Sequence, residues 1–171
     1  RGRKIKVIVD SKDTKVCFDK NKKIYIKEFH PKFEEKLKYF FRLRKYPGEN
    51  FYFVAETLKK LGIKVPEVIE YSKYRVVTKD IQGTVLREYL KKDDVIVKNF
   101  LDIIVKILKN NIYYSDFNTK NFIVKGKEIF VIDLEGYKVG GMAFKKKKEQ
   151  HNRLYKALKN DQWVKYIEER L

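Results

Sequence analysis

The chain has 171 residues, of which 43% are hydrophobic and 15% aromatic, enough to bury the core of one domain. Its 41 basic residues outnumber 23 acidic ones, and the net charge of +18 points to a polyanionic partner: nucleic acid, an anionic membrane or a phosphorylated glycan. The single cysteine, Cys17, excludes a disulfide framework or a cysteine-rich zinc site within the chain. No apolar run is long enough to span a bilayer, and the basic start lacks the apolar core of a signal peptide, so we expect a cytoplasmic protein.

The first thirty residues predict three short strands. Residues 4–9 alternate polar and apolar side chains, which is a strand pattern. Apolar triplets at 16–18 and 24–26 predict the second and third strands, and the turn chemistry of residues 19–22 separates them. The connection between the first two strands, residues 10–14, contains no glycine.

Two helices and a strand pair are predicted next. Apolar residues near helical spacing predict a helix over 32–45. A second helix is predicted over 49–61, and Gly62 fits its C-cap. Residues 67–71 and 74–79 then have the composition of two paired strands.

The rest of the chain outside the central motif is predicted to be mainly helical. Residues 80–83 break the strand pattern and suit a hinge, and a short helix is predicted over 84–91. Asp93 can cap a helix over 93–109, whose apolar stripe marks it as the centre of a second lobe. A last helix is predicted over 147–159.

The most informative stretch is YYSDFNTKNFIVKGKEIFVIDLE, residues 113–135. Two apolar runs around a turn that contains Gly126 predict a β-hairpin. Because a hairpin returns the chain on itself, Asp133 is expected to lie near Asn121 and Asp116. Two carboxylates and an amide would then meet at the rim of a small sheet, and these groups are hard oxygen ligands of the kind Mg²⁺ prefers beside substrate phosphates.

This spacing is that of a kinase catalytic loop followed by a metal-binding aspartate. In that interpretation Asp116 accepts the proton of the attacking hydroxyl, and Asn121 and Asp133 hold the metal. Lys27 ends the third strand, the position of the lysine that contacts the α- and β-phosphates of the nucleotide. The pattern Asp-x-x-x-x-Asn is common by chance, so the hairpin and the terminal Ile-Asp-Leu are what favour a functional site over an ordinary surface turn.

A kinase also needs a glutamate that pairs with this lysine. Glu49 and Glu56 lie seven residues apart and therefore on one face of the second helix. We favour Glu49 as the partner of Lys27, and Glu56 remains open.

Four further positions are candidates for nucleotide binding. Ser11 and Thr14 lie in the glycine-free connection, where their hydroxyls and nearby backbone amides could contact phosphate. Lys79 and Ile81 lie at the predicted hinge, where backbone groups would bind adenine.

The chain resembles the bacterial lipopolysaccharide core kinases, and among them the core heptose kinases, from about Lys4 to Tyr155. The segments that carry the resemblance are KDTKVCFD, IYIKEFHPK, LKKLGIKVPEVIEY, TKDIQGTVL and SDFNTKNFIVKGKEIFVIDLEG. The resemblance implies an α+β fold, a compact two-lobed protein-kinase-like domain. Its N-lobe, an antiparallel sheet with a helix, would cover about 1–79, its hinge 79–83, and its small, mainly helical C-lobe 84–171.

The same resemblance implies the function. It implies ATP- and Mg²⁺-dependent phosphorylation of a sugar hydroxyl, in particular of heptose, on the lipopolysaccharide inner core at the cytosolic face of the inner membrane. The family roles carry over to Lys27, Asp116, Asn121 and Asp133, and less closely to Glu49. Peripheral contact with anionic membrane would follow from the excess positive charge.

The chain departs from the protein-kinase pattern at three places. Tyr114 stands where a histidine is common, and Ser115 replaces the usual glycine. Asp133-Leu134-Glu135 stands where protein kinases have Asp-Phe-Gly. These departures argue against a protein Ser/Thr/Tyr kinase more than against phosphotransfer.

Three alternatives are weighed against the sugar kinase. One is a small atypical kinase that acts on a protein or an RNA-associated factor, and a second is a degenerate kinase scaffold. The third is a non-catalytic basic module that binds nucleic acid by stacking aromatic side chains on bases. The segment 137–144 and the lysine run 145–148 are candidates for covering the substrate and binding an anionic acceptor.

Overall fold

The N-terminal part of the chain folds around an antiparallel sheet of five strands. The computed structural model describes residues 5–140 and 147–171. The strands have five or six residues, and each strand hydrogen-bonds to its sheet neighbours in antiparallel register. The sheet order is β1-β2-β3-β5-β4. The strands are β1 Ile5–Asp10, β2 Thr14–Asp19, β3 Ile24–Phe29, β4 Val68–Ser72 and β5 Arg75–Lys79.

Two helices separate β3 from β4. The first, α1, spans Phe33–Phe40 and is shorter than the predicted 32–45. It ends early because Arg42 adopts a left-handed conformation, with φ 57°, and the Leu43 N–H donates to the Lys38 carbonyl, which is the hydrogen bond of a Schellman cap. The second helix, α2, spans Pro47–Lys60.

The helix α2 is positioned by its two ends and by one buried face. Pro47 begins it, where the missing N–H costs nothing. Gly62 follows it with φ 74°, which confirms the predicted C-cap. Val54 and Leu58 are completely buried, so the helix is fixed against the sheet and the segment after Asp133.

A short segment joins the two lobes and leads into a strand rather than a helix. The helix predicted over 84–91 is wrong: Thr84–Val85 forms β6, and Leu86–Tyr89 makes one 3₁₀ turn. Thr84 and Val85 are β-branched and pair with the strand Phe122–Lys125. Gly83 permits this pairing, because a Cβ there would lie 2.5 Å from the Val124 carbonyl oxygen.

The C-terminal part is built on α3, Asp94–Lys109, as predicted. The carboxylate of Asp93 accepts from the N–H groups of Val95 and Ile96, which confirms the predicted cap. The remaining elements follow in chain order. They are β7 Ile112–Tyr113, β8 Phe122–Lys125, β9 Glu128–Val131, β10 Lys138–Val139, α4 Lys147–Leu158 and α5 Asp161–Glu168.

The core of this part lies between α3, the β8–β9 hairpin and α5. Phe100 of α3 is fully buried and meets the ring of Phe122 edge-on, with centroids 4.8 Å apart. Val164 and Ile167 of α5 are also fully buried. Within the described ranges, no helix combines the length and apolar character required to traverse a bilayer. Part of the predicted substrate-covering segment and the lysine run 145–148 lie outside the residues whose side chains are described.

Candidate active site

The loop from Asp116 to Asn121 is closed by the asparagine side chain. Asn121 is 6% exposed, and its Nδ2 donates to the Asp116 carbonyl over 3.1 Å and to the Tyr114 hydroxyl over 3.0 Å. Its amide oxygen accepts no hydrogen bond from the described residues. The amide thus fixes the loop with its nitrogen and leaves its oxygen available for a ligand.

The predicted hairpin is confirmed and brings Asp133 back to this loop. Phe122 pairs with Val131, and the Ile132 N–H donates to the Asn121 carbonyl over 3.1 Å. Asp133 is the next residue and has a φ of 58°, in the left-handed region that short polar side chains tolerate best after glycine. This conformation ends the strand and turns the chain toward the cleft between the lobes.

Lys27 of β3 reaches this aspartate from the opposite lobe. Its Nζ donates to Asp133 Oδ1 over 2.8 Å and to Glu135 Oε1. Burial lowers the pKa of Lys27, but the carboxylates of Glu135 and Asp133 outweigh burial, and the net effect raises the pKa. The ammonium is therefore charged at neutral pH and held across the cleft.

Glu135 is a site residue that the sequence reasoning did not identify. Burial raises the pKa of its carboxyl, and the charge of Lys27 opposes that rise. Its Oε2 is buried without a hydrogen-bond partner among the described atoms. The Asp-Leu-Glu sequence could have indicated this residue. A glutamate that is buried beside apolar residues needs a cation as its partner.

The predicted pair of Glu49 with Lys27 is not formed in this structure, where Lys27 pairs with Asp133 and Glu135. Among the described residues no ion pair joins Lys27 to Glu49, and Glu56 pairs with Lys59 over 3.0 Å near the surface. Asn50 instead faces the site. Helical neighbours are about 100° apart around the axis, so an inward Asn50 directs Glu49 to another side of α2.

Asn50 joins α2 to the segment that follows Asp133. Its Nδ2 donates to the carbonyls of Glu135, over 3.0 Å, and Tyr137, over 2.9 Å. The helix therefore holds the backbone of the lysine's glutamate partner rather than supplying that glutamate.

Tyr114 packs beside this loop, where its hydroxyl accepts a hydrogen bond from Asn121 Nδ2. Its ring stacks on that of Tyr137, with centroids 4.2 Å apart, and leaves no room for a side chain at Gly136, where a Cβ would lie 2.6 Å from Tyr114 Cε2. Burial raises the pKa of Tyr114, and the negative charges of Asp133 and Asp116 raise it further. Hydrogen bonds through Asn121 connect the two aspartates: its Nδ2 donates to the Asp116 carbonyl, and its own carbonyl accepts from the N–H of Ile132, the residue before Asp133.

A cleft of about 470 Å³ lies between the lobes. Lys27 and Asp133 line it, together with the predicted hinge residues Lys79 and Ile81. The wall that the five-stranded sheet contributes consists mainly of apolar side chains, which suits a flat aromatic ligand. The wall residues are Ile8, Val9, Val16, Tyr25 and Val76.

The hinge offers free backbone groups to this cleft. The backbone N–H and C=O of Ile81 make no hydrogen bond within the described parts of the chain. The next residue, Gln82, has a φ of 58°, and its N–H is bound by Asp80 Oδ1 over 3.1 Å. The side chain of Lys79 points instead toward Glu67, 3.5 Å away. Backbone binding of a base is therefore possible at Ile81.

Ser11 and Thr14 are not brought into the cleft. The Ser11 hydroxyl donates to the Thr14 carbonyl over 2.9 Å and accepts from the Thr14 N–H over 3.1 Å. These hydrogen bonds close the β1–β2 turn on itself, and neither residue lines the cleft. The prediction that they contact phosphate is not supported. The turn contains no glycine, and the Ser11 hydroxyl is already hydrogen-bonded to the backbone N–H and carbonyl of Thr14.

The donors present suit a hard cation that shares its coordination with a substrate. The described residues contain no group of three or more histidine, cysteine, aspartate or glutamate side chains that could hold a metal alone. Asp133 Oδ2 and the Asn121 amide oxygen remain as two oxygen ligands. Mg²⁺ is commonly bound in this way, with one or two protein oxygens and with phosphates and water completing the octahedron.

Comparison with solved structures defines the fold. The Rio2 kinase from Chaetomium thermophilum superposes with a TM-score of 0.64 at 14% identity, over 99% of this chain and 57% of that one. A Rio2 complex with ADP, Mg²⁺ and phosphoaspartate from the same organism gives 0.58 at 16% identity, over 96% and 54%. The streptomycin–ATP complex of APH(2″)-IIa gives 0.51 at 12% identity, over 81% and 68%. No protein-family model and no curated protein matches the sequence.

The protein has a protein-kinase-like fold of mixed α+β type, as predicted. At these identities the likeness concerns the fold alone. The chain spans a little over half the length of the Rio2 kinase chains.

Proposed function

We propose that the protein is an ATP-dependent phosphotransferase. The observation that carries this proposal is the contact of Lys27 Nζ with Asp133 across the interlobe cleft, over 2.8 Å, beside the closed Asp116–Asn121 loop. Lys27 and Asp133 line a cleft that also contains free hinge backbone, and the loop that carries Asp116 and Asn121 is joined to this segment by the hydrogen bond from the Ile132 N–H to the Asn121 carbonyl. Phosphoryl transfer requires mainly such positioning and charge neutralisation.

Each side chain has a distinct part in this proposal. Lys27 would move from its carboxylate partners to the nucleotide phosphates and hold them. Asn121 and Asp133 would hold Mg²⁺ by their oxygens, and the bound metal would neutralise phosphate charge. Asp116 is exposed and would accept a hydrogen bond from the acceptor hydroxyl, which orients it for in-line attack.

For the acceptor we propose a sugar hydroxyl of the lipopolysaccharide inner core, in particular of heptose. Two features support this choice: the sequence resemblance to the core heptose kinases, and the net charge of +18, which suits a phosphorylated glycolipid. Such an acceptor would place the protein at the cytoplasmic face of a membrane. The competing proposal of a small kinase for a protein or RNA-associated factor draws on the Rio2 superposition.

The test is phosphate transfer to purified core glycolipid. The wild-type protein is incubated with ATP, Mg²⁺ and the glycolipid, and mass spectrometry should detect the addition of one phosphate group. Asp116→Asn should lower the rate by about 10²–10⁴-fold, the usual contribution of a positioned base, with no loss of stability since the residue is exposed.

Asp94→Asn is the matched control, because Asp94 is also an exposed aspartate and lies outside the cleft. It should transfer phosphate at the wild-type rate. Full activity of Asp116→Asn would remove the catalytic assignment. Transfer to a protein or RNA-associated factor, with none to the glycolipid, would favour the competing acceptor. ATP-independent, salt-sensitive binding to RNA with no transfer at all would favour the nucleic-acid module.

A further inference from the structure

The helix α1 carries its apolar side chains on the outside. Phe33, Phe40, Phe41 and Leu43 are 73%, 72%, 66% and 73% exposed, and Leu37 of the same stripe is 40% exposed. None of the residues of α1 is buried. We call these five residues the α1 apolar face. Phe33, Leu37 and Phe40 lie on α1 at the spacing i, i+4, i+7, which ordinarily marks the side of a helix that faces the core, so the orientation of α1 is the reverse of the usual one. Phe41 and Leu43 extend this face in the turn after the helix.

The other side of α1 holds the helix on the body of the protein. The ring of Tyr39 packs against Tyr46, with centroids 5.5 Å apart, and against Tyr74, at 6.4 Å. Glu35 pairs with Lys38 over 2.7 Å and with Arg44 over 3.1 Å. These contacts fix both the helix and the turn after it, so the α1 apolar face is presented by an ordered element.

The segment that carries this apolar face is rich in basic residues. Residues 32–45 contain six lysines and arginines against two glutamates. Among the described residues Lys32, Lys36 and Arg42 take part in no ion pair. Lys36 also lines an open cleft of about 620 Å³ beside the helix, to which Lys73 adds further positive charge.

We propose that the α1 apolar face docks on an anionic lipid bilayer, with its aromatic rings among the acyl-chain ends and its lysines and arginines at the headgroups. Charge complementarity selects this occupant: an apolar face within a basic rim is the pattern of an interfacial helix on anionic lipid. This inference rests on the proposed function, because it supplies the means by which a soluble kinase-like domain reaches a glycolipid acceptor.

The experiment measures co-sedimentation with vesicles and requires no ATP. One set of vesicles contains neutral phosphatidylcholine only, and the other includes anionic phosphatidylglycerol. Wild-type protein should bind the anionic vesicles, and binding should weaken as added salt screens the headgroup charge. The variant Phe40→Ser, Phe41→Ser, Leu43→Ser should bind at least about ten-fold more weakly, because three exposed apolar side chains are lost from the interface.

Val95→Ser is the matched control, because Val95 is 65% exposed but lies on α3, in the other lobe. It should bind like the wild type, and thermal unfolding should show that both variants are folded. Equal binding of the triple variant and the wild type would overturn the proposal. Absence of binding to anionic vesicles would also overturn it, and a dimer that dissociates in the triple variant would then identify a second copy as the occupant. Vesicle binding without phosphotransfer would retain the docking surface and reject the proposed function.

Discussion

Lys27 is placed between two carboxylates that lie two residues apart in the sequence. Asp133 is 42% exposed, whereas Glu135 is 21% exposed and has one oxygen buried without a partner. The two carboxylates therefore hold the lysine in different ways. Glu135 keeps the lysine charged inside the cleft. In the proposed function Asp133, the more exposed partner, would be released from the lysine when a metal and phosphate compete for it.

Replacement of Lys27 should expose the cost of burying Glu135. Lys27→Met leaves the carboxylate without a cation, and we expect a loss of about 3–5 kcal/mol in the free energy of unfolding at neutral pH. Burial already raises the pKa of Glu135 above its ordinary 4.5, so the folded variant binds a proton more tightly than the unfolded chain. The stability of the variant should therefore fall as the pH rises above 4.5.

Urea unfolding between about pH 5 and pH 8 measures this slope. The stability of the wild type should fall less steeply over this range, because the charge of Lys27 opposes the burial that raises the pKa of Glu135. The raised pKa of Lys27 keeps the lysine charged throughout, since its contribution to stability is lost only as the pH rises from the ordinary 10.5 through the folded pKa. The control is Lys27→Met with Glu135→Gln, which has no charge to titrate. A single variant as stable as this double variant at pH 8 would contradict the prediction.

At the scale of elements, α2 is the link between the sheet and the cleft. Its N-terminus is packed so closely that a Cβ at Gly48 would lie 1.9 Å from the Ser72 carbonyl oxygen. Two positions further on, Asn50 donates to both carbonyls that flank Gly136. The rotation of the helix about its axis is thus fixed, and with it the position of Glu135 opposite Lys27.

Removal of the Asn50 amide should disturb the site more than removal of the neighbouring carboxylate. Asn50→Ala leaves two carbonyls of the 135–137 segment without a donor, and we expect a loss of about 1–3 kcal/mol in stability together with weaker binding of ATP. Glu49→Ala, the matched control on the same helical turn, should change neither quantity. Calorimetric titration with ATP and Mg²⁺ and thermal unfolding measure both. A larger effect of Glu49→Ala would restore Glu49 as the partner of the lysine.

At the scale of the molecule, the chain has a surplus of 18 positive charges over 171 residues. Repulsion among like charges destabilises the compact state, and dissolved salt screens it over about 8–10 Å. The same surplus would attract any anionic acceptor or surface. Solubility, recognition and stability therefore all depend on the net charge.

Moderate salt should therefore stabilise the protein. We expect the unfolding temperature at pH 7 to rise between about 0.02 M and 0.2 M sodium chloride, and a gain of about 1 kcal/mol would correspond to about 2–4 °C. The control is the same titration near pH 9.7, the isoelectric point, where the net charge and the effect should vanish. An equal rise at both pH values would show that screening of net charge is not the cause.

The sequence by itself determined the elements that carry the site. Alternating apolar residues and a glycine turn are local signals, so they predicted the hairpin that returns Asp133 to Asn121, and they placed Lys27 on the third strand of an antiparallel sheet. The same local signals predicted a helix at 84–91, and this prediction was wrong because pairing of Thr84 with β8 outweighed helix formation. Roles in catalysis remain predictions at every one of these positions.

Only the tertiary structure decided which side chains meet. The partner of Lys27, the inward turn of Asn50 rather than Glu49, and the outward apolar face of α1 were not predictable from periodicity. Periodicity states that a helix has an apolar side, but the direction of that side depends on how the helix is rotated against elements far away in the sequence. That rotation is set by contacts such as the ring of Tyr39 against Tyr74 within the N-lobe and the amide of Asn50 against the Glu135 carbonyl between the lobes, which form only in the folded structure.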